Sequence, residues 1–169
     1  MYTSGTTGSP KGVVLSHRAV LANCAQVTAG LATGVDVGDR WLIVAPLFHA
    51  AAVITAFSCV NGGGCLVIHR GFDPARVVEA LHRDRIALTT LVPAMIQACL
   101  AVPGVDAHDY PDLQSIAYGG SAIAEPVLRR AMAVFGCDFY QGFGQTESSA
   151  GLGGDGFGRR RSLETHPRL

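Results

Sequence analysis

Short apolar runs alternate with longer segments of helical periodicity along most of this chain. The continuous apolar run over residues 41–45 is typical of a strand buried on both faces of a sheet. Further strands are predicted over residues 65–68, 86–92, 113–118 and 138–141. Strands that alternate with helices in this way predict an α/β fold, in which helices flank a mainly parallel sheet.

The segments between the strands begin with residues that favour helix N-termini. Ser16 is a suitable cap for a helix running to about Leu31, and Asp73 followed by Pro74 combines a cap with a first-turn proline. Three more helices are predicted over residues 50–59, 93–100 and 125–135. Because ligands of parallel sheets bind at the carboxyl ends of strands, the polar or glycine-rich segments that follow strands are candidate sites.

The opening segment, residues 2–13, combines hydroxyl side chains, three glycines and Lys11, the single lysine of the chain. Glycines leave backbone N–H groups uncovered and the lysine adds a mobile positive charge, so the composition predicts a phosphate-binding loop. It differs from the common nucleotide loop, because Pro10 precedes the lysine and Gly12 follows it. A flexible linker is the alternative, although linkers seldom place a Pro-Lys-Gly directly before an apolar run.

Charge and composition narrow the class of partner. The 169 residues include 13 basic and 13 acidic side chains, and a formal net charge of zero argues against a nucleic-acid surface. A small-molecule partner fits better. With 49% hydrophobic residues, the chain can bury the core of one ordinary domain. The longest apolar run, residues 45–60, is interrupted by polar residues and proline, so neither a spanning helix nor a signal peptide is expected.

Five cysteines are scattered over apolar stretches, without a C-x-x-C pair. We interpret them as buried free thiols, which indicates a reducing cytoplasm. Cys59 and Cys65 are near enough in sequence for a metal or disulfide pair. No neighbouring ligand completes a zinc site, so the core interpretation is preferred for both.

The composition changes at Gly151. Residues 151–158 are mostly glycine, three arginines follow, and no apolar period continues to the end of the sequence. An acidic partner could bind this basic stretch, but such a stretch is more typical of a solvated end. We therefore predict a domain over residues 1–150 and a disordered or aberrant tail over residues 151–169.

Four motifs occur in order along residues 1–150. They are the opening loop, Pro46-Leu-Phe-His49, Tyr118-Gly-Gly-Ser121 and Gly142-Phe-Gly-Gln-Thr-Glu-Ser148. Together they resemble the adenylate-forming (AMP-binding) acyl-CoA synthetases and their luciferase and peptide-synthetase relatives. The resemblance implies an incomplete part of the large N-terminal domain of those enzymes, with further strands expected before the opening loop and after the last motif.

The resemblance also implies where ATP binds. The opening loop would hold the β- and γ-phosphates through Thr3, Ser4, Gly5, Thr6, Thr7, Gly8 and Lys11. Gly119, Gly120 and Ser121 would line the adenine, and Phe143 would stack on its face. Relatives usually carry tyrosine in place of Phe143, a change that keeps the aromatic surface. The nucleotide contacts would be completed by Gly144 and by Thr146, which would bond the α-phosphate.

Metal binding and catalysis are implied for a smaller set of residues. Glu147 and the hydroxyl of Thr3 would hold Mg²⁺, a hard ion that prefers oxygen ligands. Lys11, His49 and Thr146 would be catalytic, with His49 bordering the carboxylate substrate and gating its access. Taken alone, residues 145–147 are more typical of a helix N-terminal cap, and a single histidine on an apolar stretch is more typical of a satisfied core residue.

The implied reaction activates a carboxylic acid with ATP to an acyl adenylate, which a thiol, commonly coenzyme A, then converts to a thioester. Fatty acids are favoured because the segment after His49 is small and apolar. No lysine occurs beyond Lys11, so the C-terminal domain that supplies a second lysine in relatives is expected to be absent, and a truncated form with little activity alone is predicted. The alternatives are a non-catalytic ATP- or AMP-binding module and an interaction protein that needs a separately encoded C-terminal domain.

Overall fold

The computed structural model describes residues 1–3, 8–30 and 36–148, and the backbone of residues 153–157. The described helices are α1 His17–Gly30, α2 Ala50–Asn61, α3 Pro74–Arg83, α4 Pro93–Leu100 and α5 Glu125–Phe135, with short 3₁₀ helices at Val105–Ala107 and Thr146–Ser148. The described strands are β1 Tyr2–Thr3, β2 Lys11–Gly12, β3 Arg40–Ile43, β4 Cys65–Ile68, β5 Ile86–Leu91, β6 Ser115–Gly119, β7 Asp138–Phe143 and β8 Gly153–Phe157.

Six strands form one sheet in the order β4-β3-β5-β6-β7-β8. Every pair in this sheet is parallel except β7 with β8, which is antiparallel. The α/β fold with a mainly parallel sheet is therefore confirmed. The chain passes from β3 outward to β4 and then returns across β3 to β5. This reversal creates a switch point between β3 and β5, where the connections leave a crevice at the carboxyl ends of the strands.

Helices cover the sheet on both faces. The larger core cluster joins α3, α4 and α5 to the strands, with Leu42, Ile116 and Phe139 fully enclosed. The other face carries Trp41, which packs with Cys59 of α2 and with Leu88. Helix α1 lies beside α2. The alternation of side chains along each strand thus sends apolar groups to both faces, as continuous apolar runs predict.

The predicted helix caps are present. The Arg76 backbone N–H donates to Asp73 Oδ1 at 3.0 Å, with Pro74 in the first turn of α3. The Ala19 N–H donates to Ser16 Oγ at 3.2 Å before α1. Each cap satisfies a backbone donor that the helix itself leaves unpaired. No helix in the described part of the chain is both long and apolar enough to cross a membrane.

Part of the segment that begins at Gly151 differs from the disordered or aberrant tail predicted for it. Gly153–Phe157 forms β8, which pairs with β7 along Phe139–Phe143 in place of a solvated tail. The expectation of no regular structure was wrong for these five residues, because ladder hydrogen bonds join backbone groups and need no apolar side chains. The rest of the predicted tail, 151–152 and 158–169, lies outside the described residues.

Four of the five cysteines are buried, as the interpretation of buried free thiols predicts. Cys24, Cys59, Cys99 and Cys137 are buried free thiols, whereas Cys65 is exposed. Its exposure follows from its place on β4, the edge strand of the sheet. Burial raises the pKa of Cys99 from 9.0 to about 12, because the apolar surroundings disfavour the thiolate.

The close approach of β6 and β7 requires glycine at one position. Gly119 and Gly142 are register partners at the carboxyl ends of these strands. A Cβ atom on Gly119 would collide with the Gly142 carbonyl oxygen, a backbone atom that cannot move aside without breaking the ladder. The two backbones therefore approach more closely here than any larger residue allows.

We expect the Gly119→Ala substitution to destabilise the fold by at least about 1–3 kcal/mol, the usual cost of overpacking. Gly71→Ala is the matched control, because a Cβ there would meet nothing within 4 Å. That control should leave the stability unchanged or raise it by up to about 1 kcal/mol. Urea denaturation of both variants measures the difference, and equal midpoints would contradict the proposed clash.

We also expect the fold to lose stability above pH 9. The folded state holds the Cys99 proton more tightly than the unfolded state, with a pKa of about 12 against 9.0. As the pH rises, the Cys99 thiol therefore loses its proton in the unfolded state first. The contribution of this thiol to the free energy of unfolding falls between these two pKa values. At pH 10, one unit above the unfolded value, the loss is on the order of 1 kcal/mol. Denaturation at pH 8 and pH 10 should show that Cys99→Ala loses less stability than the wild type, and an identical loss would contradict this account.

Candidate functional site

Three predicted site residues lie at the carboxyl end of β6. Gly119 is the last residue of that strand, and Gly120 and Ser121 follow it as exposed residues. Gly120 has a φ of 80°, a left-handed conformation that glycine adopts without strain. The chain therefore turns sharply here, and its backbone lies open to a ligand beside the end of β7.

The end of β7 supplies an aromatic surface next to this turn. Phe143 is its last residue and is 71% exposed, and the exposed Gly144 follows. Gly142, its neighbour, pairs directly with Gly119 of β6. Two motifs that are more than 20 residues apart in sequence are thus brought together by one strand register. An exposed aromatic ring beside open backbone groups is suited to stacking against a planar ligand.

Residues 145–148 form a compact turn directly after β7. Thr146–Ser148 is a short 3₁₀ helix, in which Thr146 is half-buried and Glu147 is exposed. The Ser148 hydroxyl accepts from the Gln145 N–H at 3.2 Å and donates to the Gln145 carbonyl at 2.9 Å. The helix-start interpretation of this segment is compatible with the structure, and the Glu147 carboxylate is free to face solvent or a ligand.

Helix α1 contacts this turn through Asn23. The Asn23 side-chain amide donates to the Ser148 carbonyl oxygen at 3.4 Å, at the long end of the range for such bonds. Asn23 is 4% exposed. This contact joins the helix that follows the opening loop to the motif that contains Glu147. The sequence analysis missed Asn23, because no local pattern marks a partner 125 residues away.

The two ends of the opening loop form a small antiparallel ladder. Thr3 on β1 is the register partner of Lys11 on β2, and Lys11 is exposed. The Val13 N–H donates to the Met1 carbonyl at 2.7 Å and extends this pairing. The predicted phosphate ligands Thr3 and Lys11 therefore lie across from each other. Gly8 is exposed, and the predicted ligands Ser4, Gly5, Thr6 and Thr7 lie outside the described residues.

His49 stands after β3, at the N-cap position of α2. It is exposed, and its ring centroid is 5.4 Å from that of Phe48. The alternative of a satisfied core histidine is therefore wrong. Because β3 borders the switch point of the sheet, His49 lies on the same edge of the sheet as the residues that follow β6 and β7.

The described residues contain no group of three or more histidine, cysteine, aspartate or glutamate side chains arranged to hold a metal ion. An isolated carboxylate such as Glu147 suits an ion that takes most of its ligands from a phosphate and from water. Mg²⁺ is commonly bound in this manner.

A separate cavity of about 840 Å³ lies between α1 and α2. Its walls are almost wholly apolar and include Leu21, Phe48 and Phe57. None of the predicted site residues on β6, β7 or the 145–148 turn lines it. The cavity is therefore distinct from the turn cluster at the ends of β6 and β7.

Comparison with solved structures extends the likeness beyond the motifs. The inhibitor-bound N-terminal domain of FACL13 from Mycobacterium tuberculosis superposes with a TM-score of 0.84 at 32% identity, over 91% of this chain and 38% of that one. O-succinylbenzoate coenzyme A synthetase (MenE) from Bacillus subtilis, in complex with ATP and magnesium ion, gives a TM-score of 0.79 at 29% identity, over 97% of this chain and 33% of that one.

Curated relatives agree with the structural likeness. The chain is 40% identical to the fatty acid–acyl-carrier-protein ligase ScoC of Streptomyces coeruleorubidus, over 88% of the chain and 29% of ScoC. It is 37% identical to a feruloyl-CoA synthase of Amycolatopsis sp, over 90% of the chain and 30% of that enzyme. The chain thus spans about three tenths of the length of these relatives. The AMP-binding enzyme profile matches residues 1–165, and the chain belongs to this family.

Proposed function

We propose that this chain carries the nucleotide-binding part of an ATP-dependent ligase that activates a carboxylic acid. The observation that carries this proposal is the pairing of β6 with β7, which sets Gly119 beside Gly142 at the carboxyl edge of the sheet. Two motifs with different tasks thereby meet at one place. Membership of the AMP-binding enzyme family supports the same interpretation.

The adenine would bind between the β6 turn and the ring of Phe143. Residues 119–121 are small and exposed or half-buried, so their backbone groups are accessible to the edge of a base. Phe143 is 71% exposed and offers an aromatic face, which gains free energy when a planar base covers it. Phe143 lacks the hydroxyl of the tyrosine that relatives usually carry at this position, but its aromatic ring offers the same stacking surface.

The phosphates would lie between the opening loop and the 145–148 turn. Lys11 supplies a positive charge on β2, opposite the Thr3 hydroxyl on β1. The contact between Asn23 and Ser148 supports this arrangement, because it holds α1 against the turn that carries Thr146 and Glu147. Thr146 would donate to the α-phosphate, and residues 4–8 would supply further donors to the β- and γ-phosphates.

The carboxylate of Glu147 and the hydroxyl of Thr3 are oxygen donors that fit Mg²⁺. When bound, Mg²⁺ would neutralise part of the negative charge of the phosphates. In the reaction, a carboxylate oxygen of the substrate attacks the α-phosphorus of ATP, and pyrophosphate leaves. A carboxylic acid with a pKa of about 4.3 is already ionised at neutral pH, so the step needs no general base. Lys11 and Thr146 would act by aligning the phosphates and offsetting their charge.

A thiol then attacks the acyl carbon of the adenylate, and AMP leaves. We propose His49 as a residue that borders the acid and controls its access, because it is exposed at the sheet edge beside the switch point. The relatives act on a fatty acid and on a feruloyl group and differ in the acceptor, an acyl carrier protein or coenzyme A. A fatty acid and coenzyme A are our proposals for this chain, favoured by the apolar residues 50–54. The free buried thiols suit a reducing cytoplasm.

We expect Lys11→Ala to weaken ATP binding by about ten-fold or more, because a charge-assisted contact to phosphate is lost. Glu147→Gln should weaken binding only when Mg²⁺ is present and should match the wild type in EDTA. Isothermal titration with ATP measures both effects.

The matched controls for this titration are Arg18→Ala and Glu125→Gln. Arg18 is an exposed cation on α1, and Glu125 is an exposed acid paired with Arg129. Both controls should bind ATP as the wild type does. Equal affinities for all five proteins would contradict the proposed phosphate and metal contacts.

We expect the chain alone to show pyrophosphate exchange near background with fatty acids. It spans 29% of ScoC, and a separately supplied lysine-bearing C-terminal domain should be required for adenylation at a useful rate. Addition of such a domain, together with the remainder of the same relative's N-terminal domain, should raise the exchange rate, and Lys11→Ala should abolish the gain. Robust exchange by the isolated chain would contradict this expectation.

A further inference from the structure

Asn23 is one of two buried residues on helix α1, and it is the polar one. A buried amide costs free energy unless it is hydrogen-bonded, whereas an apolar side chain of similar size carries no such cost. The amide nitrogen of Asn23 lies 3.4 Å from the Ser148 carbonyl oxygen. Because a carbonyl only accepts, the amide must present its N–H group on this side. The position thus uses a polar side chain to contact the 145–148 turn.

The 145–148 turn is fixed in shape by its own hydrogen bonds. The Ser148 backbone N–H donates to the Gln145 carbonyl at 3.1 Å, and the Ser148 hydroxyl bonds both backbone groups of Gln145. These bonds join neighbours within the turn and do not set its position relative to α1. The bond from Asn23 joins the turn to that helix, directly beside Glu147 in the sequence.

The N-terminal end of α1 is tied to the opening loop. Ser16 caps the helix through the Ala19 N–H, and the Val13 N–H donates to the Met1 carbonyl beside the ladder that carries Lys11. Asn23 lies roughly 9 Å along the helix from its first residue, given a rise of about 1.5 Å per residue. One hydrogen-bonded helix thus connects the predicted phosphate-binding loop to the turn that carries Glu147.

We propose that Asn23 is a positioning residue that holds the 145–148 turn in place relative to the opening loop, so that the Glu147 carboxylate meets Mg²⁺ carried by the phosphates of ATP. This inference rests on the proposed function and adds a residue to it. Asn23 acts through the turn, without a contact of its own to the nucleotide or the ion. A turn without this tether must be ordered when the ion binds, and that ordering opposes binding.

The test is isothermal titration of the full chain with ATP, once with Mg²⁺ and once in EDTA. Asn23→Leu keeps a buried side chain of similar size without a donor, and Asn23→Asp keeps the shape but has no N–H when ionised. Each should weaken ATP binding by about three- to ten-fold with Mg²⁺, the range for one hydrogen bond, and should match the wild type in EDTA. Thr28→Val is the control, because the Thr28 hydroxyl donates to the Cys24 and Ala25 carbonyls within α1.

A double-mutant cycle separates positioning from a general structural role. If Asn23 acts through the Glu147 carboxylate, Asn23→Leu should have no further effect on ATP binding once Glu147→Gln is present. A residue that only stabilises the fold would weaken ATP binding in EDTA as well, and its effect would persist in the Glu147→Gln protein.

Two results would overturn this inference alone. One is an unchanged affinity for ATP with Mg²⁺ in both Asn23 variants. The other is an equal loss with Mg²⁺ and in EDTA, or a full loss in the Glu147→Gln protein. A wild-type chain that does not bind ATP in either condition would instead overturn the proposed function, and this inference with it. Circular dichroism of each variant distinguishes loss of binding from loss of fold.

Discussion

The backbone contact between β6 and β7 is the constraint on which the rest of the site depends. Gly119 and Gly142 face each other in register, and no side chain fits between them. This contact brings the segment 119–121 next to Phe143 and the turn that follows it. A one-residue slip of either strand would turn their side chains to opposite faces and separate the two motifs. The geometry of the candidate site is therefore a property of strand register.

The two faces of the sheet differ in how fully helices bury their apolar side chains. Helices α3, α4 and α5 enclose a large core with the strands, in which residues such as Ile96 and Leu128 are fully buried. The opposite face carries a smaller cluster around Trp41, and beyond it α1 and α2 leave apolar side chains exposed. Within the described residues, helices thus close over one face, whereas on the other an apolar groove remains open between α1 and α2.

The relatives of this chain belong to one family but differ in their substrates. The relatives include a ligase that loads an acyl carrier protein and a synthase of feruloyl-CoA. Such enzymes differ in acid and thiol, whereas the phosphate and adenine contacts proposed here depend on glycine-rich backbone and hydroxyl groups. Backbone contacts are insensitive to the acid substrate.

The sequence by itself determined the elements and their class. Apolar runs, caps such as Asp73 and first-turn prolines predicted helices and strands within a few residues of their observed bounds, because these signals act locally. The motifs could also be recognised from the sequence, because few residue types can bind phosphate or a metal. Composition alone did not predict β8, whose glycine-rich residues pair through backbone groups, although the family resemblance implied a further strand after the last motif.

Only the tertiary structure decided which distant residues meet. The contact of Asn23 with Ser148, the exposure of His49 and of Cys65, and the groove between α1 and α2 depend on how the elements pack. None of these features has a signal in the local sequence. Local propensities are set by each residue and its near neighbours, whereas contacts across more than 100 residues are set by the order of strands in the sheet and the faces that their connections cover.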